Sequence, residues 1–264
     1  MNEAELLFSR MLKCDKLSLY LNRKTKLGRK NGEFASLVLR KRVSGYPLQY
    51  ILGKADFFGE EFLVTEAVFI PRPETEILVE TALKLGLRVK GKGLKLNILD
   101  LGTGSGCIAI FLAKLLHGAD ITATDISVKA LEVAKENARL HHVNINFIQG
   151  DLFDTYPLPL TTYHLIVNNP PYIASQEINK LQPEISFEPR MSLDGGKDGL
   201  DFYRKIIKQA PLYLKDDGIL AFEIGFDQLA RIEKILQKQP NMRIIDIIRD
   251  YAGIERVVIA QKGK

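Results

Sequence analysis

The stretch RIIDIIRDYAGIERVVIAQ, residues 243–261, decides the fold class. It contains two apolar runs typical of strands, residues 243–250 and 256–261, with only residues 251–255 between them. Parallel neighbouring strands need a crossover of about a dozen residues or more, so these two strands must pair antiparallel. The chain therefore ends with a strand that runs against its neighbour.

Upstream of this pair, from residue 95, predicted strands and helices alternate. The strands are predicted over residues 96–101, 121–126, 145–150, 163–169 and 218–224, and the helices over 107–116, 129–140, 200–214 and 228–238. Such alternation predicts a parallel sheet with helices on both faces. We therefore predict an α/β fold with a seven-stranded, mostly parallel, Rossmann-like sheet and one antiparallel strand at its end. This architecture resembles the S-adenosylmethionine-dependent methyltransferases and differs from a dehydrogenase Rossmann domain.

The chain divides by charge into two parts. Residues 1–54 carry 12 Lys and Arg against 4 Asp and Glu, a net charge of +8, whereas the remainder carries 25 against 28, a net charge of −3. Basic residues cluster over residues 21–45, including Arg40, Lys41 and Arg42, and favour attraction to a polyanion such as RNA or a ribonucleoprotein. A solvated basic face is the alternative.

Three domains follow from these patterns. We predict an N-terminal helical substrate-docking domain over residues 1–52, a linking β-hairpin over 53–72 and a methyltransferase domain over 73–264. A helix is predicted to open at IPRPETE with Gly86 after its end, and residues 88–95 to form a basic loop before the first core strand.

Composition narrows the functional class. No apolar run approaches the roughly 18 residues of a membrane span, and the N-terminus does not resemble a secretory signal. We therefore expect a cytoplasmic protein without membrane contact. The two cysteines, Cys14 and Cys107, are too few and too far apart to predict a disulfide framework or a zinc site.

The glycine-rich segment DLGTGSG, residues 100–106, follows the first core strand and opens the next helix. Its glycines stand where the chain turns sharply and a ligand approaches the backbone. Because its spacing is G-x-G-x-G instead of G-x-G-x-x-G, and because it lacks the Lys-Ser/Thr of a P-loop, pyrophosphate recognition is the poorer match. Asp125 ends the second core strand 19 residues after Gly106, where a carboxylate can accept hydrogen bonds from ribose hydroxyls. Asp151 and Leu152 end the third strand and are placed to flank an adenine.

The segment NNPPY, residues 168–172, follows the fourth core strand. Its prolines hold the backbone extended, so the side-chain oxygen of Asn169 and the carbonyl of Pro170 can accept hydrogen bonds from one planar NH₂ group. Tyr172 can lie against the face of that group. This arrangement predicts methylation of an amide or exocyclic amine nitrogen, oriented by two acceptors and without a strong base.

The combined motifs resemble the PrmC/HemK family, the protein-(glutamine-N5) methyltransferases that modify the Gly-Gly-Gln loop of peptide-chain release factors. The NPPY tetrad alone also occurs in amino-methyltransferases acting on adenine or guanine, so the combination carries the resemblance. The matching segments are GYPLQYILG (45–53), FFGEEFLV (57–64), FIPRPETE (69–76), DLGTGSGCIAI (100–110), NNPPYI (168–173) and FEPRMSLDGGKDGLDFY (187–203).

The resemblance implies a site for S-adenosylmethionine, with S-adenosylhomocysteine as the product. The implied cofactor-binding residues are Gly102, Thr103, Gly104, Ser105, Gly106, Asp125, Ile126, Asp151, Leu152 and Asn169. The implied catalytic residues are Asn169, Pro170 and Tyr172, and the implied substrate-binding residues are Asn169, Pro170, Pro171, Tyr172, Phe69 and Arg72. Thr75 is a further pocket residue, and Glu188 and Pro189 are expected to shape the loop beyond the tetrad.

The implied partners are peptide-chain release factors, with contact to ribosomal RNA through the basic N-terminal part. Leu152 stands where the family often has an aromatic residue, so packing against adenine is expected to be aliphatic. Two alternatives stay open at this point. One is an amino-methyltransferase for adenine or guanine in nucleic acid, and the other is a non-catalytic module that binds RNA or the ribosome.

Overall fold

A computed structural model describes residues 2–21, 24, 26–91, 95–154 and 162–263. The helices are α1 (Glu3–Leu12), α2 (Lys16–Leu21), α3 (Arg29–Val43), α4 (Leu48–Leu52), α5 (Pro73–Lys90), α6 (Cys107–Leu115), α7 (Val128–Leu140), α8 (Asp201–Tyr213) and α9 (Leu229–Leu236). The strands are β1 (Lys54–Phe57), β2 (Glu60–Leu63), β3 (Asn97–Leu101), β4 (Asp120–Asp125), β5 (Asn146–Gln149), β6 (Tyr163–Asn168), β7 (Leu214–Glu223), β8 (Met242–Arg249) and β9 (Glu255–Lys262).

Seven strands form the central sheet, in the order β5-β4-β3-β6-β7-β9-β8. Strands β5, β4, β3, β6 and β7 are mutually parallel, whereas β9 pairs antiparallel with both β7 and β8. The predicted fold class is confirmed. The reversed strand, however, is inserted between β7 and β8 and is not the edge strand, so its apolar residues Val257 and Val258 are completely buried.

The N-terminal helices have a small core of their own. Leu7, Val38 and Leu48, from α1, α3 and α4, are buried against one another. Asn2 caps α1 and forms a reciprocal capping box with Glu5. The predicted domain boundaries stay a prediction. The basic stretch between α2 and α3 includes residues 22, 23 and 25, which lie outside the described residues.

The hairpin β1–β2 is anchored to the sheet-covering helices. The Leu63 N–H donates to Oδ1 of Asn137, whose Nδ2 donates in turn to the carbonyls of Leu63 and Ser105, at 2.7, 3.0 and 2.8 Å. Phe57 and Phe62 pack against Phe111 of α6 with ring centroids 5.6 and 5.8 Å apart. This packing fixes the segment after the hairpin above the sheet edge that carries the glycine loop.

Two local predictions are wrong. Gly86 lies inside α5, where a Cβ would be 2.7 Å from Leu116 Cδ1 and 3.2 Å from Leu96 Cδ2, so a glycine there permits close packing instead of ending the helix. The loop predicted over residues 88–95 begins late because α5 continues to Lys90, and residues 92–94 lie outside the described residues. Within the described part of the chain, no helix is long and apolar enough to cross a membrane.

Two helix glycines should respond in opposite ways to alanine. Gly86→Ala should lower the free energy of unfolding by about 1 kcal/mol, because overpacking against the buried Leu116 outweighs the gain in helix propensity. Gly32→Ala in α3 is the matched control. A Cβ there meets nothing within 4 Å, so stability should rise by about 0.5–1 kcal/mol. Urea unfolding of both variants checks this, and stabilisation by Gly86→Ala would contradict the packing role.

Candidate active site

A cavity of about 270 Å³ lies at the carboxyl ends of β3, β4 and β6. Most residues proposed from the sequence line it, which brings the glycine loop, Asp125 and the NPPY segment together. Those that line it are Phe69, Gly102, Thr103, Gly104, Ser105, Asp125, Ile126, Asp151, Leu152, Asn169, Pro170, Pro171 and Tyr172, with Thr75 and Pro189. Gly106, Arg72 and Glu188 do not line it.

The glycine loop has the backbone conformation that only glycine adopts readily. Gly102, Gly104 and Gly106 have φ of 67°, 55° and 84°. Gly106 caps α6 and packs against α7, where its Cβ would lie 3.1 Å from the Cβ of Ala134. Its positive φ and the contact between α6 and α7 both favour glycine here, and its role in binding a cofactor stays a prediction.

Asp125 holds the loop in place as well as lining the cavity. Its two carboxylate oxygens accept hydrogen bonds from the N–H groups of Gly104 and Ser127, each at 2.9 Å. Burial raises the pKa of Asp125, and these backbone donors partly oppose that shift. Each oxygen still has a lone pair for a hydroxyl donor from a ligand.

The residues that follow β5 add an aliphatic side chain, Leu152, and a charged side chain, Asp151, to the cavity wall. Leu152 has φ of 54° and lies at the edge of the core. Across from it, Phe202 and Lys205 of α8 also line the cavity, and Lys205 Nζ is 3.7 Å from the carboxylate of Asp151. The sequence analysis missed Phe202 and Lys205 because both lie on a helix whose apolar spacing indicates only core packing.

The side chain of Asn169 is oriented by two residues distant in sequence. Its Nδ2 donates to Thr75 Oγ1 at 2.9 Å, and Thr75 Oγ1 donates to Glu223 Oε2 at 2.8 Å. The Thr75 hydroxyl has one proton, and when it donates that proton to the ionised Glu223 carboxylate, Oγ1 can only accept from Asn169. The NH₂ group of Asn169 thus faces Thr75, and its Oδ1 is left to accept a hydrogen bond in the cavity.

The neighbouring Asn168 also lies at this edge of the sheet, beside the cavity. It is buried, its Nδ2 donates to the carbonyl of Leu101, and its Oδ1 has no hydrogen-bond partner among the described residues. Because Asn168 lines the cavity beside Gly102, this oxygen is an unsatisfied acceptor at the ligand site.

The DGGKDGL segment supports the two prolines and Tyr172 from behind. A Cβ on Gly195 would lie 2.8 Å from the carbonyl oxygen of Pro171, and one on Gly199 would lie 2.4 Å from that of Tyr172. Gln228 Nε2 also donates to the Tyr172 carbonyl at 2.8 Å. These contacts hold the NPPY backbone rigid, and they give a physical reason for glycines in this segment.

Arg72, which is partly exposed, and the buried Glu188 form an ion pair next to Phe69 of the cavity wall. The Arg72 guanidinium pairs with Glu188 and lies 4.7 Å from the ring centroid of Phe69. Glu188 also accepts a hydrogen bond from the Ile70 N–H at 3.0 Å. Burial raises the pKa of Glu188, and Arg72 opposes that shift. The pair therefore positions Phe69, which lines the cavity, and direct contact of Arg72 with a substrate stays a prediction.

Glu223 is a further side chain next to this site that sequence reasoning missed. It ends β7, is 2% exposed, and lies behind Thr75 and Asn169. Burial raises the pKa of Glu223 to about 7, with Glu74 adding to the shift and Thr75 opposing it. The signal in the sequence was a carboxylate at the end of a predicted apolar strand, the position where such sheets bind ligands.

This sheet, with a glycine loop, a strand-end carboxylate and an NPPY segment at one edge, defines a methyltransferase. The sequence matches the family described as Methyltransferase small domain over residues 74–186 and the PrmC N-terminal domain over residues 1–53. Among solved structures, a methyltransferase from Pyrococcus furiosus superposes with a TM-score of 0.58, at 18% identity, covering 88% of this chain and 99% of that one.

Relatives named release factor glutamine methyltransferase are much closer in sequence. The protein of Fusobacterium nucleatum subsp. nucleatum is 44% identical, covering 99% of this chain and 73% of the relative. That of Thermodesulfovibrio yellowstonii is 41% identical, covering 99% of this chain and 92% of the relative. The chain belongs to the release factor glutamine methyltransferase family, which confirms the resemblance found in the motifs, and it is an enzyme.

The buried carboxylate of Glu223 should make stability depend on pH. Its folded-state pKa of about 7 lies above the ordinary value of 4.5, so its contribution is complete below about pH 4 and is lost as pH rises through 7. Glu223→Gln cannot ionise. Its free energy of unfolding relative to wild type should therefore rise between about pH 5 and pH 8, by on the order of 3 kcal/mol. Urea unfolding at both pH values measures the difference, and an equal difference at both would place the Glu223 pKa outside this range.

Proposed function

We propose that this enzyme transfers a methyl group from S-adenosylmethionine to the side-chain amide nitrogen of the glutamine in the Gly-Gly-Gln motif of peptide-chain release factors. The observation that carries this proposal is the orientation of Asn169. Its NH₂ group is bound by Thr75, so Oδ1 faces the cavity as an acceptor. A primary amide has two N–H donors, and the Pro170 carbonyl is the expected second acceptor.

The described cavity fits the proposed cofactor. Gly102 and Gly104 let a ligand approach the backbone, Asp125 retains acceptor capacity for a ribose, and Ile126 and Leu152 offer aliphatic faces for an adenine. The unpartnered Asn168 Oδ1 marks a place where a donor on the ligand is needed. S-adenosylmethionine would supply an electrophilic methyl group on a sulfonium sulfur.

The residues around Asn169 perform the demanding part of the chemistry, which is orientation. An amide nitrogen is a poor nucleophile because its lone pair is delocalised into the carbonyl. Two fixed acceptors hold both N–H bonds, align the nitrogen with the methyl donor and stabilise the positive charge that develops on it. The methylated nitrogen then loses a proton readily to solvent, so no strong base is required.

Mass spectrometry of a purified release factor tests the proposal directly. After incubation with enzyme and S-adenosylmethionine, the peptide that contains Gly-Gly-Gln should gain one methyl group, located on the glutamine by fragmentation. Asn169→Ala should fold normally and reduce turnover by about 100-fold or more, the scale for loss of one transition-state contact. Near-wild-type turnover in the purified variant would contradict the acceptor role.

The same assay separates the alternatives. An amino-methyltransferase for adenine or guanine predicts methyl transfer to naked DNA or RNA and none to the factor. A non-catalytic module predicts no transfer to either. Methylation of nucleic acid alone, or of nothing, would therefore overturn the proposed substrate.

Asp125 should govern cofactor affinity. Asp125→Asn keeps the size of the side chain and one oxygen but removes the charge, so binding of S-adenosylmethionine should weaken by about 1.5–3 kcal/mol. Asp120→Asn, at the opposite end of β4, is the control and should bind as wild type does. Calorimetry on the two variants measures this, and equal affinities would show that the Asp125 carboxylate does not contribute to cofactor binding.

The basic N-terminal part supports a docking role, but Arg42 is excluded from the docking surface. Arg42 is engaged in the fold: its guanidinium lies 2.9 Å from Glu3 and 3.1 Å from Glu184, and it also donates to the Tyr46 carbonyl. Arg40 and Lys41 are exposed on the same helix. We therefore place the proposed contact with an acidic face of the release factor, or with ribosomal RNA, on Arg40 and Lys41.

The double variant Arg40→Glu/Lys41→Glu should lower kcat/KM for intact release factor while kcat at saturation stays close to wild type. Added salt should narrow the difference, since screening weakens exposed charge attraction. A short Gly-Gly-Gln peptide, too small to reach α3, is the control substrate. An equal loss on the peptide and on the whole factor would show that the two charges support the fold and not docking.

A further inference from the structure

We propose that Glu223 is a positioning residue for methyl transfer, acting through Thr75 to present the side-chain oxygen of Asn169, and not its NH₂ group, to the substrate nitrogen. This inference rests on the proposed function. It assigns a role to a buried carboxylate that contacts neither the cavity nor the substrate.

The direction of the hydrogen bonds around Thr75 fixes the orientation of the Asn169 side chain. An asparagine side chain presents either an acceptor or two donors, and rotation by half a turn exchanges them. A substrate amide NH₂ is bound only by the acceptor. The ionised Glu223 accepts the single proton of Thr75 Oγ1 at 2.8 Å, and Thr75 can then only accept from Asn169, at 2.9 Å. The NH₂ group of Asn169 is therefore held on the inner side.

Glu223, Thr75 and Asn169 are held by rigid elements of the fold. Glu223 ends the buried strand β7, Thr75 lies in the first turn of α5 and is 3% exposed, and Asn169 follows directly after β6. Strands β6 and β7 pair up to Asn168 and Phe222. The Glu223 carboxylate at the end of β7 is therefore in register with the Asn169 amide that follows β6, and Thr75 of α5 bridges the two side chains.

Charged and ionisable groups from several elements face Glu223. They are Glu74 of α5 and Arg256 of β9, with the phenol groups of Tyr172 and of Tyr203 in α8. Arg256 is paired with Asp250 at 2.9 Å, so it does not neutralise Glu223 by a direct ion pair. Burial therefore dominates, and the carboxyl gains its proton as pH falls through about 7.

Protonation should release the constraint. A neutral Glu223 carboxyl can donate to Thr75 Oγ1, and the Thr75 proton can then point toward Asn169. The amide is no longer obliged to keep its NH₂ group inward, and the orientation that offers a donor to the substrate becomes accessible. The proposed consequence is an acid limb in turnover that belongs to a residue outside the cavity.

Variants of Thr75 test the relay at constant pH. Thr75→Val keeps the shape but removes the hydroxyl, and kcat should fall by about 100-fold, the scale of a misoriented reacting group. Thr75→Ser keeps the hydroxyl and should recover most of that loss. Thr81→Val, a buried threonine on the same helix, is the matched control and should match wild type. Equal losses in the valine and serine variants, or a rise in KM with unchanged kcat, would overturn the relay.

Glu223→Gln tests the source of the acid limb. With cofactor and factor both saturating, wild-type kcat should fall up to about tenfold per pH unit below 7. In Glu223→Gln, kcat should be nearly independent of pH over the same range, because an amide does not titrate. An unchanged acid limb in this variant would assign the limb to another group and contradict the proposal.

A measurement without catalysis separates this inference from the proposed function. The ¹H–¹⁵N side-chain signal of Asn169, assigned by its absence in Asn169→Ala, should shift with pH around 7 in wild type and stay constant in Glu223→Gln. If this shift is seen but release factor is not methylated, the proposed substrate fails and the relay stands. If the factor is methylated but the signal does not respond to Glu223, the relay fails alone.

Discussion

The parallel alignment of β4, β3, β6 and β7 is the constraint on which the rest of the site depends. Parallel strands bring their carboxyl ends to one edge, so the residues that follow them converge although the sequence separates them widely. The glycine loop after β3, Asp125 on β4, Asn169 after β6 and Glu223 on β7 all meet there. The reversed strand β9 lies between β7 and β8, so the parallel alignment of these four strands is kept.

Much of this arrangement could be predicted because its determinants are local. The five residues between the last two strands exclude a parallel crossover, and alternating apolar runs predict the remaining sheet. Glycines with positive φ and two consecutive prolines leave clear marks in a sequence. Together they predicted that Gly102, Asp125 and the NPPY segment lie close together, and these residues line one cavity.

What could not be predicted depends on contacts between distant residues. Thr75 and Glu223 are joined by a hydrogen bond across a separation of 148 residues, and although Thr75 belongs to the FIPRPETE segment, nothing in the sequence indicates Glu223 as its partner. Gly86 resembled a helix end, yet the side chains of Leu96 and Leu116, from other elements, decide its role. In the sequence, Arg42 resembles its exposed neighbours, and only the folded structure brings Glu3 and Glu184 beside it. In each case tertiary packing supplied the information.

The central claim is that Asn169 acts as an acceptor with a fixed orientation. The most direct measurement is a crystal structure of the enzyme with S-adenosylhomocysteine and a Gly-Gly-Gln peptide. The account predicts that the glutamine nitrogen lies about 2.7–3.2 Å from both Asn169 Oδ1 and the Pro170 carbonyl oxygen, with Asn169 Nδ2 still bound to Thr75. A structure in which the glutamine carbonyl oxygen instead accepts from Asn169 Nδ2 would contradict it.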